Sequence, residues 1–261
     1  MKTPTKIPGN HPRAESLRIR ENLVEAFEDG AVARAGLIAH GRGEAFDYLL
    51  GEQTIQPARK AIRAAAALLL IAKRPVVSVN GNSAALTAEE IVSLSELVKA
   101  EIEVNIFYRT AEREEIIESL LVRAGAKKVL GVGEGNSACI PDLGSERRRV
   151  STNGILVADV VLVPLEDGDR TEALLKMGKK VIAIDLNPIS RTSQKASITV
   201  VDNLVRAMPE LIKEVKKLRQ TKKAKLNAII KQFDNRSNLQ RCLSNILERL
   251  ERLADERGLT G

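Results

Sequence analysis

The two histidines of this 261-residue chain each lie in a short cluster of polar residues and glycines. Residues 36–47 read GLIAHGRGEAFD, with His40 close to Arg42, and residues 10–13 read NHPR. Glycine lets a backbone approach a ligand with its amides pointing outward, and the planar arginine fork matches phosphate and carboxylate. The first cluster therefore predicts a site for an anionic ligand, in which His40 bonds a phosphate or passes a proton. The alternative is a hydrogen-bonded structural histidine.

Further candidate residues come from the ends of predicted strands, because an open α/β sheet binds ligands beyond the carboxyl ends of its strands. These positions are rich in Asn, Asp, Arg and Gly, which suits a nucleotide with its metal or a small polar acid. They are Asn80–Ser83, Tyr108–Thr110, the glycine loop 131–137, residues 166–171, residues 185–192, and Asp202 with Asn203.

Two of these segments, and a run of arginines in the long loop after residue 137, have two interpretations each. Asp185, at a strand end, either closes an Asx-Pro turn or holds a ribose hydroxyl, with Arg191 and Thr192 then reaching phosphates. Residues 166–169 read EDGD and form either a turn with a helix cap or a magnesium or amine site. The arginines at 147–149 are either a solvated charge run or a phosphate clamp.

The glycine loop at 131–137 reads GVGEGNS, which does not match the G-x-G-x-x-G pattern of dinucleotide-binding folds. A Gly-Lys-Ser/Thr sequence is also absent from the chain, so it contains no Walker A loop. Classical NAD binding is therefore not expected, and ATP would bind by a less common arrangement.

The composition limits the class of protein. Apolar residues make up 44% of the chain and aromatic residues 2%, so the core is aliphatic. The apolar run 64–72 is about half the roughly 20 residues of a membrane helix, and no apolar region follows Lys2 and Lys6. Cys139 and Cys242 form neither a disulfide framework nor a metal cluster. We expect a cytoplasmic enzyme or binding protein with no membrane partner.

The net charge of +7 makes nucleic acid a partner to consider. The densest basic stretch, residues 213–225, follows a predicted helix, where a solvated face is the more common explanation. The scarcity of aromatic residues argues against a stacking surface for single strands, and no zinc-finger or RNP-like pattern occurs. We therefore expect no nucleic-acid partner, and a basic chain equally suits a polyanionic small molecule.

The elements that must position these residues fall into three zones. Residues 1–75 have helical spacing, residues 76–205 alternate strands and helices, and residues 206–261 are helical again; we expect the zones to form a single domain. Five leucine or isoleucine residues from Leu239 to Leu253 recur at helical spacing, which fits packing within the chain or a dimer contact equally well. The predicted strands are 75–80, 103–107, 128–132, 158–164, 180–185 and 198–201. The predicted helices are 17–27, 58–72, 87–100 behind a capping box at Thr87, 112–124, 172–177, and one capped by Asn203 that runs to 218.

Strands that alternate with helices of about a dozen residues are typical of a parallel sheet covered on both faces. The strands are continuous apolar runs, as buried parallel strands are. The predicted fold class is α/β, a Rossmann-like three-layer core with a parallel sheet, flanked by N-terminal and C-terminal helices.

Five long motifs together resemble the archaeal phosphopantothenate synthetase family. The likeness extends from about residue 7 to about residue 207, and the motifs are too long and unusual to match by chance. They are IPGNHPR at 7–13, GLIAHGRGEAFDY at 36–48, PVVSVNGN at 75–82, VPLEDGDRTEA at 163–173 and IDLNPISR at 184–191.

The resemblance implies a homodimeric enzyme of coenzyme A biosynthesis that joins 4-phosphopantoate to β-alanine. It would consume ATP with Mg²⁺ and release AMP and pyrophosphate through an acyl adenylate. Positioned arginines, asparagines and backbone amides suit both steps, since each builds negative charge on phosphoryl or acyl oxygens. Other AMP-forming carboxylate–amine ligases and a non-catalytic nucleotide-binding regulator are the alternatives.

The resemblance also implies ATP contacts, carried over motif by motif. They are Arg20, Arg42, Asp185, Leu186, Asn187, Arg191, Thr192, Asn203 and Leu204. His40, Arg42 and Asn80 are the candidate catalytic residues; roles for His40, Asn80, His11 and Arg170 follow from position and chemistry rather than from the family.

Overall fold

The computed structural model describes residues 8–11, 13–133, 135, 137–141, 143–164 and 168–256. The helices in this part of the chain are α1 (Ala14–Glu28), α2 (Arg34–Leu50), α3 (Gln56–Ile71), α4 (Gly81–Val98), α5 (Ala111–Arg123), α6 (Gly168–Lys176), α7 (Arg191–Lys195), α8 (Leu204–Leu218), α9 (Lys223–Gln232) and α10 (Asn235–Glu256). The strands are β1 (Pro75–Val79), β2 (Glu101–Val104), β3 (Ser137–Cys139), β4 (Arg149–Ser151), β5 (Val160–Pro164), β6 (Lys180–Ile184) and β7 (Ile198–Val200).

Five strands form one parallel sheet in the order β2-β1-β5-β6-β7. From β1 the chain proceeds outward to β2 on one side, and from β5 it proceeds outward through β6 to β7 on the other. The junction between β1 and β5 is therefore the topological switch point, where a doubly wound sheet leaves a crevice at its carboxyl edge.

Side chains from alternate positions of the central strands enter two separate cores. Val160 and Leu162 pack with α3, α4 and α8, whereas Val161 and Val163 pack with α6 and the segment from 140 to 158. This alternation follows from the two-residue period of a strand, and both faces are covered. The three-layer α/β architecture predicted from the sequence is confirmed.

The predicted start of the helix that follows β1 is wrong. Helix α4 begins at Gly81, directly after β1, and Asn80 and Ser83 form its capping box. Thr87 lies inside the helix at a kink with non-helical φ −147° and ψ 36°, and its hydroxyl donates to the Ser83 carbonyl at 3.0 Å. Residues 81–86 look like a loop in sequence because the glycine and small polar residues lack helical periodicity.

The predicted strand 128–132 is reduced to one bridge, between Leu130 and Glu103. Gly131 has a positive φ of 78°, so the chain leaves the sheet there. The predicted strand 103–107 is β2, which begins and ends earlier. The long loop that follows contains a small antiparallel pair, β3 with β4.

The flanking helices pack on the same core as the sheet. Leu239 and Ile246 of α10 are buried with Cys242, whereas Leu243, Leu247 and Leu250 on the same helix are exposed. The periodic leucines therefore serve partly for packing within the chain. No helix in the described ranges is both long and apolar enough to cross a bilayer.

Candidate active site

Helix α2 lies against the carboxyl edge of the sheet and closes a cavity of about 590 Å³. Residues that follow all five strands of the sheet contribute to its wall. The predicted site residues that line it are His40, Arg42, Asn80, Asp185, Leu186, Asn187, Arg191, Asn203 and Leu204. The structure therefore brings together all of them except Arg20 and Thr192.

The cavity-facing side of α2 is built mostly from small residues. Gly36, Ala39, His40, Gly43 and Phe46 line the cavity, and their spacing of three and four residues places them on one helical face. The expectation that the amides of these glycines point outward to a ligand is wrong, because the amides inside an α-helix bond to its own carbonyls. Gly36 instead leaves room for the Asn82 side chain, whose Oδ1 would lie 2.3 Å from an added Cβ, and an added Cβ at Gly43 would lie 3.5 Å from the Leu186 side chain.

The C-terminal part of α2 is held by buried charges. The Arg206 guanidinium pairs with both Asp47 of α2 and Asp202, and Asn203 donates to Asp47 at 2.9 Å. Thr54 donates to Asp202 at 2.6 Å. Burial raises the pKa of Asp202, and the Arg206 charge acts against that rise. This network fixes α2 against the start of α8, where Asn203 and Leu204 line the cavity.

The N-terminal part of α2 is held by neutral contacts. The Asn82 amide donates to the Gly36 carbonyl at 2.9 Å. A Cβ added to Gly81 would lie 2.1 Å from the Ala31 carbonyl oxygen, so only glycine permits this approach of the two backbones. Two residues at the start of α4 thus position the segment that leads into α2.

Asn80 lies at the topological switch point. Its side-chain amide donates across the junction to the Pro164 carbonyl of β5 at 3.1 Å, and its carbonyl oxygen accepts from the Ser83 amide at 2.9 Å. The side chain therefore caps α4 and joins the two halves of the sheet. An amide group carries two N–H donors, so these bonds are compatible with a contact to a ligand.

The carboxylate of Asp185 closes the turn after β6. It accepts from the Asn187 amide at 2.9 Å and from the Ser190 hydroxyl at 2.5 Å, which confirms the Asx-turn interpretation. Asp185 also lies on the cavity wall, so the ribose role remains a prediction. Arg191 pairs with Asp169 at 2.7 Å and with Glu172 at 3.3 Å, at an exposed edge of the same wall.

Two of the predicted ATP contacts lie away from the cavity. The Arg20 side chain on α1 donates to both carboxylate oxygens of Glu44 on α2, from Nε at 3.0 Å and from Nη2 at 2.7 Å. Thr192, in the first turn of α7, is fully buried. Their roles remain predictions that the cavity wall does not support directly.

His40 is half-buried on the cavity side of α2. Burial lowers its pKa below the ordinary 6.5; the nearby Glu44 acts in the opposite direction, and Arg20 adds to the lowering. The imidazole is therefore neutral at pH 7. A neutral imidazole has a free lone pair for accepting a proton.

Other residues from the sequence inventory have structural contacts. Arg170 is 1% exposed and donates to Ser78 and Asn105, so it joins strands rather than lining the cavity. His11 is exposed, and its Nδ1 accepts from the Arg13 amide at 3.0 Å. Arg109 is buried against Glu114.

Sequence reasoning missed one cavity-lining cation, Arg113 on α5. It lies in the first turn of a charged helix, where its neighbours Glu112 and Glu114 suggest an ordinary solvated face. Phe107, Tyr108 and Arg147 line the same side of the cavity, and the Arg147 guanidinium lies 5.9 Å above the Phe107 ring. The clamp interpretation of the 147–149 run is thus consistent with Arg147, while Arg149 pairs with Glu114.

Glu166 and Asp167 of the EDGD segment lie outside the described residues. Asp169 is on the cavity wall, and its side chain is 70% exposed. No group of three or more His, Cys, Asp or Glu side chains that could hold a metal by themselves occurs in the described ranges.

Comparison with known proteins places this geometry in context. The model of the phosphopantothenate/pantothenate synthetase family matches residues 57–249. The chain is 50% identical to a 4-phosphopantoate–β-alanine ligase of Thermococcus kodakarensis over 251 residues, which is 96% of this chain and 95% of the relative. It is 48% identical to the ligase of the same name from Methanosarcina mazei over 254 residues, 97% and 99% of the two chains.

Proposed function

The chain belongs to the phosphopantothenate/pantothenate synthetase family, and we propose that it is a 4-phosphopantoate–β-alanine ligase of coenzyme A biosynthesis. One observation supports placing the reaction in this cavity. Residues on either side of the switch point meet in a single space of about 590 Å³, which is large enough for a nucleotide and a small acid together. The relatives are named as ligases, and the cavity lies at the carboxyl edge of the sheet, where an open α/β sheet binds its ligands.

We propose that ATP occupies the half of the cavity formed by the ends of β6 and β7. Asp185, Leu186 and Asn187 would contact the ribose and base, and Asn203 and Leu204 would lie at the N-terminus of α8, where a helix favours anions. Arg42 would reach the phosphates from α2. Arg20 and Thr192 would join them only if nucleotide binding shifts α1 or α7.

The first chemical step would join the acid to the nucleotide. A carboxylate oxygen of 4-phosphopantoate attacks the α-phosphorus of ATP, and the bond to the β-phosphate bridging oxygen breaks, so that pyrophosphate leaves with the electron pair. Asn80 lies where the two halves of the cavity meet and would orient the carboxylate by donating its remaining amide hydrogen. Orientation of two bound reactants is the main contribution a protein without a nucleophile can make.

The second step would form the amide. The β-alanine nitrogen attacks the acyl carbon, and the bond from that carbon to the adenylate oxygen breaks to release AMP. The nitrogen must lose two protons between ammonium and amide. His40, kept neutral at pH 7 by burial, would accept the first, and solvent the second.

Mg²⁺ would accompany the triphosphate, since magnesium is commonly bound by substrate phosphates and one or two carboxylates. Of the carboxylates described on the cavity wall, Asp185 and Asp202 are buried, whereas the Asp169 side chain is 70% exposed and its pair with Arg191 lies on the surface. Asp169 is therefore the residue that fits the ion, which would offset phosphate charge.

We propose further that the chain acts as a single ligase domain and as a homodimer. The first statement is supported by the packing of α10 against α2 and α3, which joins the two flanking zones to each other, and of α3 and α10 against β7, which joins them to the core. The second is supported by the exposed Leu243, Leu247 and Leu250 of α10. Light scattering of the purified protein tests it, and Leu247→Glu should yield monomers if this face forms the contact.

The test of the function is AMP and pyrophosphate release with ATP, Mg²⁺, 4-phosphopantoate and β-alanine, each omitted in turn. AMP that forms only with the full set is expected. Asn187→Ala and Arg42→Ala should then weaken ATP binding, whereas Arg123→Ala, an exposed change on α5, should not. ADP in place of AMP would exclude the adenylate, and no AMP with full ATP binding would point to a different acid or amine.

A further inference from the structure

Arg113 differs from Arg191 and Arg206, two other arginines near the cavity, in what surrounds its charge. Arg191 pairs with Asp169 and Glu172, and Arg206 pairs with Asp47 and Asp202. Among the described residues, the Arg113 guanidinium donates only to the backbone carbonyls of Tyr108 and of Ala31, the latter at 3.0 Å. Within the described part of the chain, no carboxylate lies within salt-bridge distance of it.

A guanidinium without a counter-charge is costly in a partly buried position. Burial lowers the pKa of Arg113, and no acid among the described residues acts against this effect. Its Nε atom is buried and has no hydrogen-bond partner among the described residues. A bound anion on the cavity side would supply the missing charge, so the free protein is organised for an anionic ligand here.

Two neighbouring features favour a dianion over a monocarboxylate. Arg147 lines the same side of the cavity. The N-terminus of the 18-residue helix α4 also reaches the wall there, through Gly81 and Asn82. Two arginines and a helix N-terminus match a phosphate monoester, which carries about −1.5 to −2 charge at pH 7.

The position is also correct for the acid substrate. If ATP lies at the ends of β6 and β7 and the reacting carboxylate at Asn80, the rest of the acid must extend towards the ends of β1 and β2. The wall in that direction is formed by Ile106, Phe107, Tyr108 and Arg113. The phosphate, at the end of the molecule remote from the carboxylate, would then lie beside Arg113.

We propose that Arg113 binds the phosphate group of 4-phosphopantoate and makes the enzyme selective for the phosphorylated acid. This inference rests on the proposed ligase function. It assigns the acid and the nucleotide to opposite sides of the switch point. It also makes Arg113 a specificity-determining residue, in contact with substrate but remote from the reacting atoms.

The experiment compares Arg113→Gln with Arg113→Lys and with Arg123→Gln, a matched control that removes the same charge from an exposed position of the same helix. Kinetics are measured with 4-phosphopantoate and with pantoate, which lacks the phosphate. Arg113→Gln should raise the KM for 4-phosphopantoate about 10- to 100-fold, the range for losing charge-assisted hydrogen bonds. Arg113→Lys should be intermediate, because it keeps the charge but loses the fork.

Two further readouts separate this role from a structural one. The preference for 4-phosphopantoate over pantoate should fall in Arg113→Gln, while ATP affinity measured without the acid, and the KM for β-alanine, stay unchanged. If Arg113→Gln does not fold, Arg113→Lys is compared with the wild type in the same way, and smaller changes in the same direction are expected. An unchanged preference, or a rise confined to the KM for β-alanine, would overturn the inference. Absence of AMP with the wild-type protein would instead overturn the ligase assignment itself.

Discussion

The two ends of helix α2 are fixed to the sheet by different kinds of interaction. At the end near β7, the half-buried Arg206 side chain holds the buried carboxylates of Asp47 and Asp202 together. At the end near β1, one neutral hydrogen bond from Asn82 and a close backbone approach at Gly81 do the same work. Both ends border the cavity, so α2 sets its width on the nucleotide side and on the acid side.

These two modes of attachment indicate where the cavity can adapt. Separating two buried acids from their only arginine is expensive, since it leaves uncompensated charge in a dry environment. Breaking one neutral hydrogen bond costs about 0.5–1.5 kcal/mol. We therefore expect the nucleotide side to be rigid before any ligand binds, and the acid side to be the one that opens for substrate entry.

The largest expected effect comes from removing the charged anchor. Arg206→Met leaves Asp47 and Asp202 without their cation and should lower the free energy of unfolding by about 3–5 kcal/mol at pH 7. Urea unfolding measures this change. Arg59→Met is the control, because its pair with Glu210 is exposed at 3.7 Å, and it should cost at most about 1 kcal/mol. Equal losses in the two variants would contradict the charged-anchor interpretation.

The loss of stability in Arg206→Met should also depend on pH. Burial already raises the pKa of Asp202 in the intact protein, and removal of Arg206 raises it further. When the pKa of Asp202 is raised, its protonation at lower pH removes the buried negative charge that destabilises the variant. The difference in the free energy of unfolding between variant and wild type should therefore shrink as the pH falls from 7 towards 5. A pH-independent difference would show that lost packing, not charge, accounts for the effect.

A smaller effect is expected at the neutral anchor. Gly81→Ala places a Cβ against the Ala31 carbonyl oxygen, so the backbone segments must separate, at a cost of about 1–3 kcal/mol. Gly41→Ala is the contrasting change, because nothing lies within 4 Å of its added Cβ and it occupies a helix interior. That variant should gain up to about 1 kcal/mol from helix propensity. Loss of activity in Gly41→Ala without loss of stability would revive the interpretation that a glycine at this position lets a ligand approach the backbone.

The smallest expected effect concerns His40, between the two anchors. Glu44 acts to raise its pKa and Arg20 to lower it, so Glu44→Gln should move the pKa further below 6.5. Because the folded pKa lies below the unfolded value, protonation favours unfolding, and stability declines as the pH falls through this range. NMR titration is simple, since the chain has two histidines. Glu21→Gln, an exposed change on α1, should leave the titration unaltered.

Much of the fold was predictable, and the failures have specific causes. The apolar runs of β1, β5, β6 and β7 were recognisable because buried parallel strands are continuous apolar segments. Helix α4 was predicted to begin too late, and the amides of the α2 glycines were expected to face a ligand, since both helices contain glycines that contacts with distant parts of the chain require. Local propensity cannot reveal such a requirement, because its cause lies elsewhere in the chain.

The candidate site was predictable to a similar extent. Positions after strand ends were correct guides for Asn80, Asp185, Asn187 and Asn203, which meet at one cavity. No sequence pattern marked Arg113, since the regularly spaced charges around it on α5 resemble those of any solvent-exposed helix. Arg170 carried a misleading signal, because its polar neighbours in sequence suggested a ligand and its partners in space are Ser78 and Asn105.

Local sequence patterns were enough to predict the α/β class, the parallel strands and the family, because apolar periodicity and long motifs are properties of neighbouring residues. Which charges are neutralised depends instead on how the chain folds. Arg206 and Arg113 are both arginines near helix starts, yet one meets two carboxylates from distant segments and the other meets only backbone carbonyls. Charge compensation depends on distances of a few ångströms between residues far apart in the chain, and only the folded arrangement fixes those distances.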